Sequence, residues 1–293
     1  MTADRTPAAR PRPVFIDLDG TLMDAAGQIP ASAVAAIEAA RSAGHPVLLC
    51  TGRSLPEIPD HALEIGFDGL IASSGGFVRS PSGRVLRHLT FPPDLLRDVV
   101  RHLDGVGAEH FLETNGGTYA TTRVVDLVSE RLGVPVSTSP LGGRSDVPGE
   151  VLEAAGAHGV NKVSFFGSTA PVAEVAGFLD GRAEVVAGSI SGLPPAAGEI
   201  SPLGVTKAAG IRVLLDHVGG SPADSVAFGD GPNDVSMFAF VGTAVAMGGS
   251  HPLALSATPH MTTAIDDDGL ARGFAAVGLI DGPRNGSDLR RRA

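Results

Sequence analysis

An α/β fold is expected from this sequence: a parallel-sheet core interrupted by an inserted α+β module. Three observations carry that expectation. Short apolar runs at residues 14–16, 46–50 and 69–72 alternate with helical stretches near the start of the chain. The same alternation resumes from residue 205 onward. Between them, residues 85–189 follow a different rhythm. Strands that alternate with helices imply a parallel sheet with right-handed crossovers.

Val14, Phe15 and Ile16 form an uninterrupted apolar run of the kind found in a buried strand. Residues 30–43 read as a helix, with Pro30 near its start and Gly44 just past its end. Residues 46–50 and 69–72 are the next two strands. Between them, Ser54-Leu-Pro-Glu57 has the spacing of a capping box and is expected to open a second helix. In the inserted region, Leu95, Leu96, Val99, Val100 and Leu103 make a helical stripe. Residues 124–132 and 172–179 read as further helices and residues 160–166 as a strand. The late part reads as a helix over 205–218, a strand over 225–228 and a short helix over 234–241. A strand over 243–247 and a last helix over 269–277 complete it.

This reading divides the chain into a discontinuous core, residues 1–84 and 190–293, and an inserted module, residues 85–189. Gly-, Pro- and Ser-rich stretches at 73–83, 137–149 and 188–198 are candidate hinges. The polar tail at 282–293, with its Arg290-Arg-Arg292 run, is expected to be disordered.

Composition narrows the function. The 293 residues favour about two domains. A net charge of −10 argues against general nucleic-acid binding. It leaves phosphate substrates open, because a local cation can reverse the local field. The single Cys50 excludes an internal disulfide and a multi-cysteine zinc site, which fits a cytoplasmic protein. The polar N-terminal residues do not read as a secretory signal, and no apolar run is long enough to span a membrane. The nine histidines lack metal-ligand spacing. Only two lysines occur, Lys162 and Lys207.

Four segments at strand ends or helix starts carry the chemistry. Asp17-Leu-Asp19-Gly20-Thr21 follows the first strand, and carboxylates two residues apart point to the same side of an extended chain. Open α/β sheets bind ligands there. One carboxylate can attack while the other handles a proton, and both can help hold a divalent cation. Thr51-Gly52-Arg53 offers a hydroxyl and backbone N–H groups to an anion. Lys207 opens a helix, where its charge opposes the helix dipole unless an anion binds. Gly229-Asp230-Gly-Pro-Asn233-Asp234 is an acidic loop after another strand. Each segment alone also reads as a turn or a solvated helix end. Jointly, in chain order, they supply what phosphoryl transfer through an aspartate requires.

In that order, these motifs resemble the haloacid dehalogenase-like hydrolase superfamily. Glu199-Ile-Ser-Pro-Leu-Gly-Val-Thr-Lys207 and Ala244-Val-Ala-Met-Gly248 resemble its Cof-type sugar-phosphatase branch, which carries a class IIB cap. The resemblance implies a Rossmann-like core with an α+β cap. It also implies a Mg²⁺-dependent phosphatase for small phosphorylated metabolites, most often sugar phosphates. Asp17 would form an aspartyl-phosphate, and Asp19 would protonate the leaving oxygen and then activate water. Thr51, Gly52, Lys207 and Asn233 would hold the phosphoryl group. Mg²⁺ would sit among Asp17, the Asp19 carbonyl and Asp230, with Asp234 buttressing metal and lysine. The working unit would be a monomer or homodimer, without nucleic-acid or membrane partners.

One departure is Ser74-Gly75-Gly76, where the family often has Asn-Gly-Ala. A phosphomutase is the alternative within this chemistry; a phosphoacceptor domain or a catalytically silent binding protein are the alternatives outside it. In the cap, Lys162 falls in the expected strand and could reach a substrate, but reads first as a solvated lysine at a strand edge. His110, Glu113 and Asn115 are further candidates for substrate contact, and Cys50 reads as a packing residue.

Overall fold

The computed structural model describes residues 10–132, 141–187, 196–282 and 290–291. Two sheets organise the chain. The first has nine strands in the spatial order Arg290–Arg291, His260–Met261, Thr243–Ala246, Val226–Gly229, Val14–Ile16, Val47–Cys50, Leu70–Ala72, Phe77–Arg79 and Val85–His88. The six strands from His260–Met261 to Leu70–Ala72 run parallel; the other three are antiparallel additions at the edges.

The central strands are apolar on both faces because helices cover both. Val14, Ile16, Val47 and Leu49 pack with Ile37 of helix Ala31–Ser42 and Phe274 of helix Gly269–Ala276. Phe15, Leu48 and Cys50 face the other way, toward Ile211 and Leu214 of helix Lys207–Val218 and Met237 of helix Val235–Phe240. The result is a three-layer α/β/α core. Val14–Ile16 lies between Val226–Gly229 and Val47–Cys50, so successive connections leave it in opposite directions. That is a topological switch point, where a crevice opens beyond the carboxyl ends of the strands.

The second sheet has six strands, ordered Ala183–Ala187, Gly198–Pro202, Val160–Phe166, Glu109–Thr114, Gly117–Thr121 and Leu141–Ser145. One face buries Val163, Phe165 and Leu112 against helices Pro93–Gly105, Pro148–His158 and Val172–Leu179.

Most expected elements form within two residues of their sequence limits, and several expectations are corrected. Val85–His88 pairs with Phe77–Arg79 in the large sheet, and Gly198–Pro202 pairs with Val160–Phe166 in the small one. We propose on that pairing that the modules meet near residues 89–91 and 203–206. The capping box at Ser54 opens only a single 3₁₀ turn, Leu55–Glu57. Pro59 holds Ile58 extended (ψ 120°), so the turn cannot continue as a helix. The 73–83 stretch contains the strand Phe77–Arg79, and Arg290–Arg291 of the tail pairs with His260–Met261. The candidate hinge at 137–149 is, from 141 onward, the strand Leu141–Ser145 and the start of a helix; residues 137–140 lie outside the described set, as does most of the candidate hinge at 188–198. No helix among the described residues is long and apolar enough to cross a membrane.

Candidate active site

The site forms where Val14–Ile16 and Val226–Gly229 end side by side. Asp17 and Asp230 each follow one of these strands directly, so parallel register brings two residues 213 positions apart in sequence to one crevice. Gly20 makes the close approach possible. It sits at φ +75°, and a Cβ there would lie 2.3 Å from Oδ2 of Asp230.

Lys207 enters from below. Thr206 caps its helix, accepting a hydrogen bond from the Ala209 N–H at 3.1 Å, and so fixes Lys207 at the first helical position. The lysine is fully buried, and Nζ donates to Oδ1 of Asp17 and to Oδ1 of Asp234, both at 2.5 Å. Oδ2 of Asp234 accepts the backbone N–H groups of Asp230 and Gly231, each at 2.9 Å. Asp234 therefore ties the acidic loop to the lysine. Within Ser74-Gly75-Gly76, the central glycine, which the family pattern shares, is required by the packing: at φ +100° Gly75 passes so close to the Thr206 carbonyl that a Cβ would lie 2.1 Å from it.

Charge in this pocket is unbalanced. Oxygens of Asp17, Asp230 and Asp234 all lie within 4.8 Å of one another, with one ammonium group among them. Burial, and then the charge of Asp234, pushes Asp17 well above the usual carboxylate range, against the pull of Lys207. The same two causes raise Asp230 to about 6. Burial opposes the charge on Lys207, but Asp17 and Asp234 outweigh it and hold the ammonium above its ordinary range. With all three carboxylates ionised, one ammonium would leave two negative charges uncompensated, and hard oxygen donors of this kind suit a divalent cation such as Mg²⁺.

The remaining candidates line the crevice. Thr51 is buried, and its Oγ1 accepts the Arg53 N–H at 3.1 Å. A Cβ on Gly52 would lie 3.0 Å from Nδ2 of Asn233 and 3.4 Å from Oγ of Ser74, so these three residues converge. Asp19 stands apart from the acidic cluster. Its carboxylate accepts two hydrogen bonds from Arg53, at 2.6 and 2.9 Å, and is about half exposed. Arg53 was not among the expected site residues; its place in the Thr-Gly-Arg triplet was the only hint.

The cap expectations change more. Lys162 is not a solvated edge residue. It lies on the interior strand Val160–Phe166, is 5% exposed, and forms ion pairs with Glu113 at 3.0 Å and Glu199 at 3.4 Å. Asn115 pairs with Asn161 through their amides at 3.0 Å, whereas His110 lies near Asp104. Cys50 is buried, and burial pushes its thiol far up, as suits a packing residue.

Comparisons with known proteins address the family and the fold. A family model described as haloacid dehalogenase-like hydrolase matches residues 14–274. YkrA of Bacillus subtilis is 24% identical over 275 residues, covering 91% of this chain and 98% of that protein. Two other curated relatives are longer: this chain spans 54% of one from Streptococcus pyogenes and 45% of the chloroplastic endoribonuclease YBEY of Arabidopsis thaliana, about half of each. Among solved structures, BT1666 from Bacteroides thetaiotaomicron, described among phosphatases of the haloalkanoate superfamily, superposes with a TM-score of 0.79. It is 22% identical, over 95% of this chain and all of that one. The subclass IIB sugar phosphatase BT4131 gives a TM-score of 0.74 at 23% identity, over 92% of this chain and all of that one. With the family model spanning both modules and every strand that frames the crevice, the chain belongs to the haloacid dehalogenase-like hydrolases.

Proposed function

We propose that this chain is a Mg²⁺-dependent phosphatase of small phosphorylated metabolites, sugar phosphates foremost, working through an aspartyl-phosphate. The observation that carries the reading is the buried Asp17–Lys207–Asp234 chain beside Asp230 at the switch point of the sheet. Phosphatase names among the relatives, provisional for YkrA, support it.

Asp17, Asp230 and the backbone carbonyl of Asp19 would hold the cation, which neutralises the phosphoryl oxygens when bound. Asp234 holds the loop and the lysine rather than the substrate. Lys207 occupies Oδ1 of Asp17, so we assign the attack on phosphorus to Oδ2. The Thr51 hydroxyl, the Gly52 backbone and the Asn233 amide receive the transferring oxygens. As the ester P–O bond breaks, Asp19 gives its proton to the leaving alkoxide. The resulting carboxylate then takes a proton from water, whose oxygen attacks the aspartyl-phosphate, releases inorganic phosphate and restores Asp17. Because both oxygens of Asp19 accept from Arg53, the carboxylate must leave that fork and take up a proton from solvent before it can serve the leaving alkoxide.

The test is phosphate release from a panel of phosphorylated sugars, nucleotides and cofactors with Mg²⁺, wild type beside Asp17→Asn. Release by the wild type alone is expected. Equal release by the variant would remove Asp17 as nucleophile, and no release by either would remove the phosphatase reading.

A further inference from the structure

Lys162 is one of two lysines in the chain, and it is buried in the cap with its ammonium turned onto the core. Three oxygens surround its ammonium: Oε2 of Glu113 as an ion pair at 3.0 Å, and, as hydrogen-bond acceptors, Oε1 of Glu199 at 3.4 Å and the backbone carbonyl of Gly52 at 3.1 Å. Glu113 lies directly across from Lys162 in the antiparallel register, and Ser164, one pleat further along the same face, donates to Oε1 of Glu113 at 2.5 Å. The carboxylates and the serine thus aim the ammonium out of the cap. A second tie lies alongside, where the Thr118 hydroxyl of the cap donates to Oε1 of Glu57 at 3.1 Å. Oε2 of that glutamate accepts the Ser54 N–H at 3.3 Å. Both ties therefore end on the one loop that carries Thr51.

The peptide that Lys162 grips is the informative part. The Gly52 carbonyl and the Arg53 N–H belong to one planar unit. That N–H donates to Oγ1 of Thr51. With its lone pair so engaged, the Thr51 hydroxyl has its own proton to offer an anion. Lys162 pulls on one end of the peptide and Thr51 is oriented by the other.

We propose that Lys162 is a positioning residue: seated on the Gly52 carbonyl, it completes the phosphate-binding geometry of Thr51, so that the site binds a phosphoryl group well only while the cap is docked. This rests on the phosphatase reading. Lys162 does not touch the substrate in this account; it acts through the 52–53 peptide. Binding of the phosphoryl group and docking of the cap are then reciprocal, each favouring the other.

The experiment compares wild type with Lys162→Met, with the double variant Lys162→Met/Glu113→Gln, which spares the fold an unpaired buried carboxylate, and with Thr118→Val. Thermal melts establish which variants fold. Two quantities are read: kcat/KM for several phosphomonoesters with leaving groups of different size, and the affinity for inorganic phosphate with Mg²⁺ by calorimetry. Loss of a charge-assisted hydrogen bond is worth on the order of tenfold. The expected result is about that loss in phosphate affinity and in kcat/KM for every ester, with a smaller loss of the same kind in Thr118→Val. Unchanged phosphate affinity with losses confined to some esters would overturn the proposal, since Lys162 would then be reading the leaving group. Unchanged kinetics and affinity in a folded variant would overturn it as well. If the wild type turns over no ester, the phosphatase reading falls, while the calorimetric comparison still decides the role of Lys162.

Discussion

Replacing Lys207 by Met keeps most of the aliphatic stem and removes only the charge. The ammonium holds two carboxylates, Asp17 and Asp234, that are 4% and 0% exposed. Breaking a buried ion pair by deleting one partner costs about 3–5 kcal/mol, because the survivor is left charged and unsolvated. Here two survivors remain, although Asp17 can relieve part of the cost by taking up a proton. At roughly 2–4 °C per kcal/mol for a chain of this size, the melting temperature should drop by on the order of 10 °C without divalent cation. Adding Mg²⁺ should recover part of that loss, since a cation that binds only the folded state stabilises it by mass action. Turnover should drop by about 10²–10³, the usual effect of removing a preorganised donor from a site of developing negative charge. The assay is a thermal melt with and without Mg²⁺, paired with phosphate release. A variant that melts within about 2 °C of wild type and keeps its turnover would refute both the electrostatic reasoning and the assigned role.

Other expectations are equally direct. Asp17→Asn should abolish phosphate release yet leave the cation-free melting temperature unchanged or raised, because burial already favours the uncharged form of that side chain; a melt lowered by more than about 5 °C would contradict this. Chelation should stop turnover and Mg²⁺ restore it, and Asp230→Asn should raise the Mg²⁺ concentration needed for half-maximal rate at least about tenfold, read from a Mg²⁺ titration. Glu113 makes stability depend on pH. Burial, then the charges of Glu57 and Glu199, raise it from 4.5 to about 8 against the pull of Lys162. The folded chain therefore keeps a proton that the unfolded chain releases, and stability falls as pH rises through that window. Melting temperatures of wild type should fall between pH 5 and pH 9 more than those of Glu113→Gln; parallel profiles would show that Glu113 does not titrate this way.

The core machinery was legible because it is local. A run such as Val14–Ile16 marks a buried strand by its own composition, and the residue that follows it stands at the strand end whatever the rest of the chain does. Asp17, Thr51 and Asp230 stand out in the sequence that way, and Lys207 by its place at a helix start beside Thr206. Arg53 was passed over because its partner is chosen across the crevice: both of its bonds to Asp19 join residues 34 positions apart. Lys162 reads as solvated from the sequence for a related reason. The strand around it is buried at every position, so alternation could not tell which face met solvent.

By itself the sequence determined the alternating α/β order, the strand ends that carry Asp17, Asp230 and Thr51, and the acidic balance that asks for a cation. All of these follow from periodicity and side-chain chemistry within a few neighbouring residues. Tertiary structure alone decided that Val85–His88 joins the large sheet and Gly198–Pro202 the small one, since strand ownership is settled by hydrogen-bond partners far away in the chain. It also decided that Glu113 meets Lys162 and that their shared ammonium rests on Gly52, because register and the packing of one sheet over the other strand's loop have no local signature.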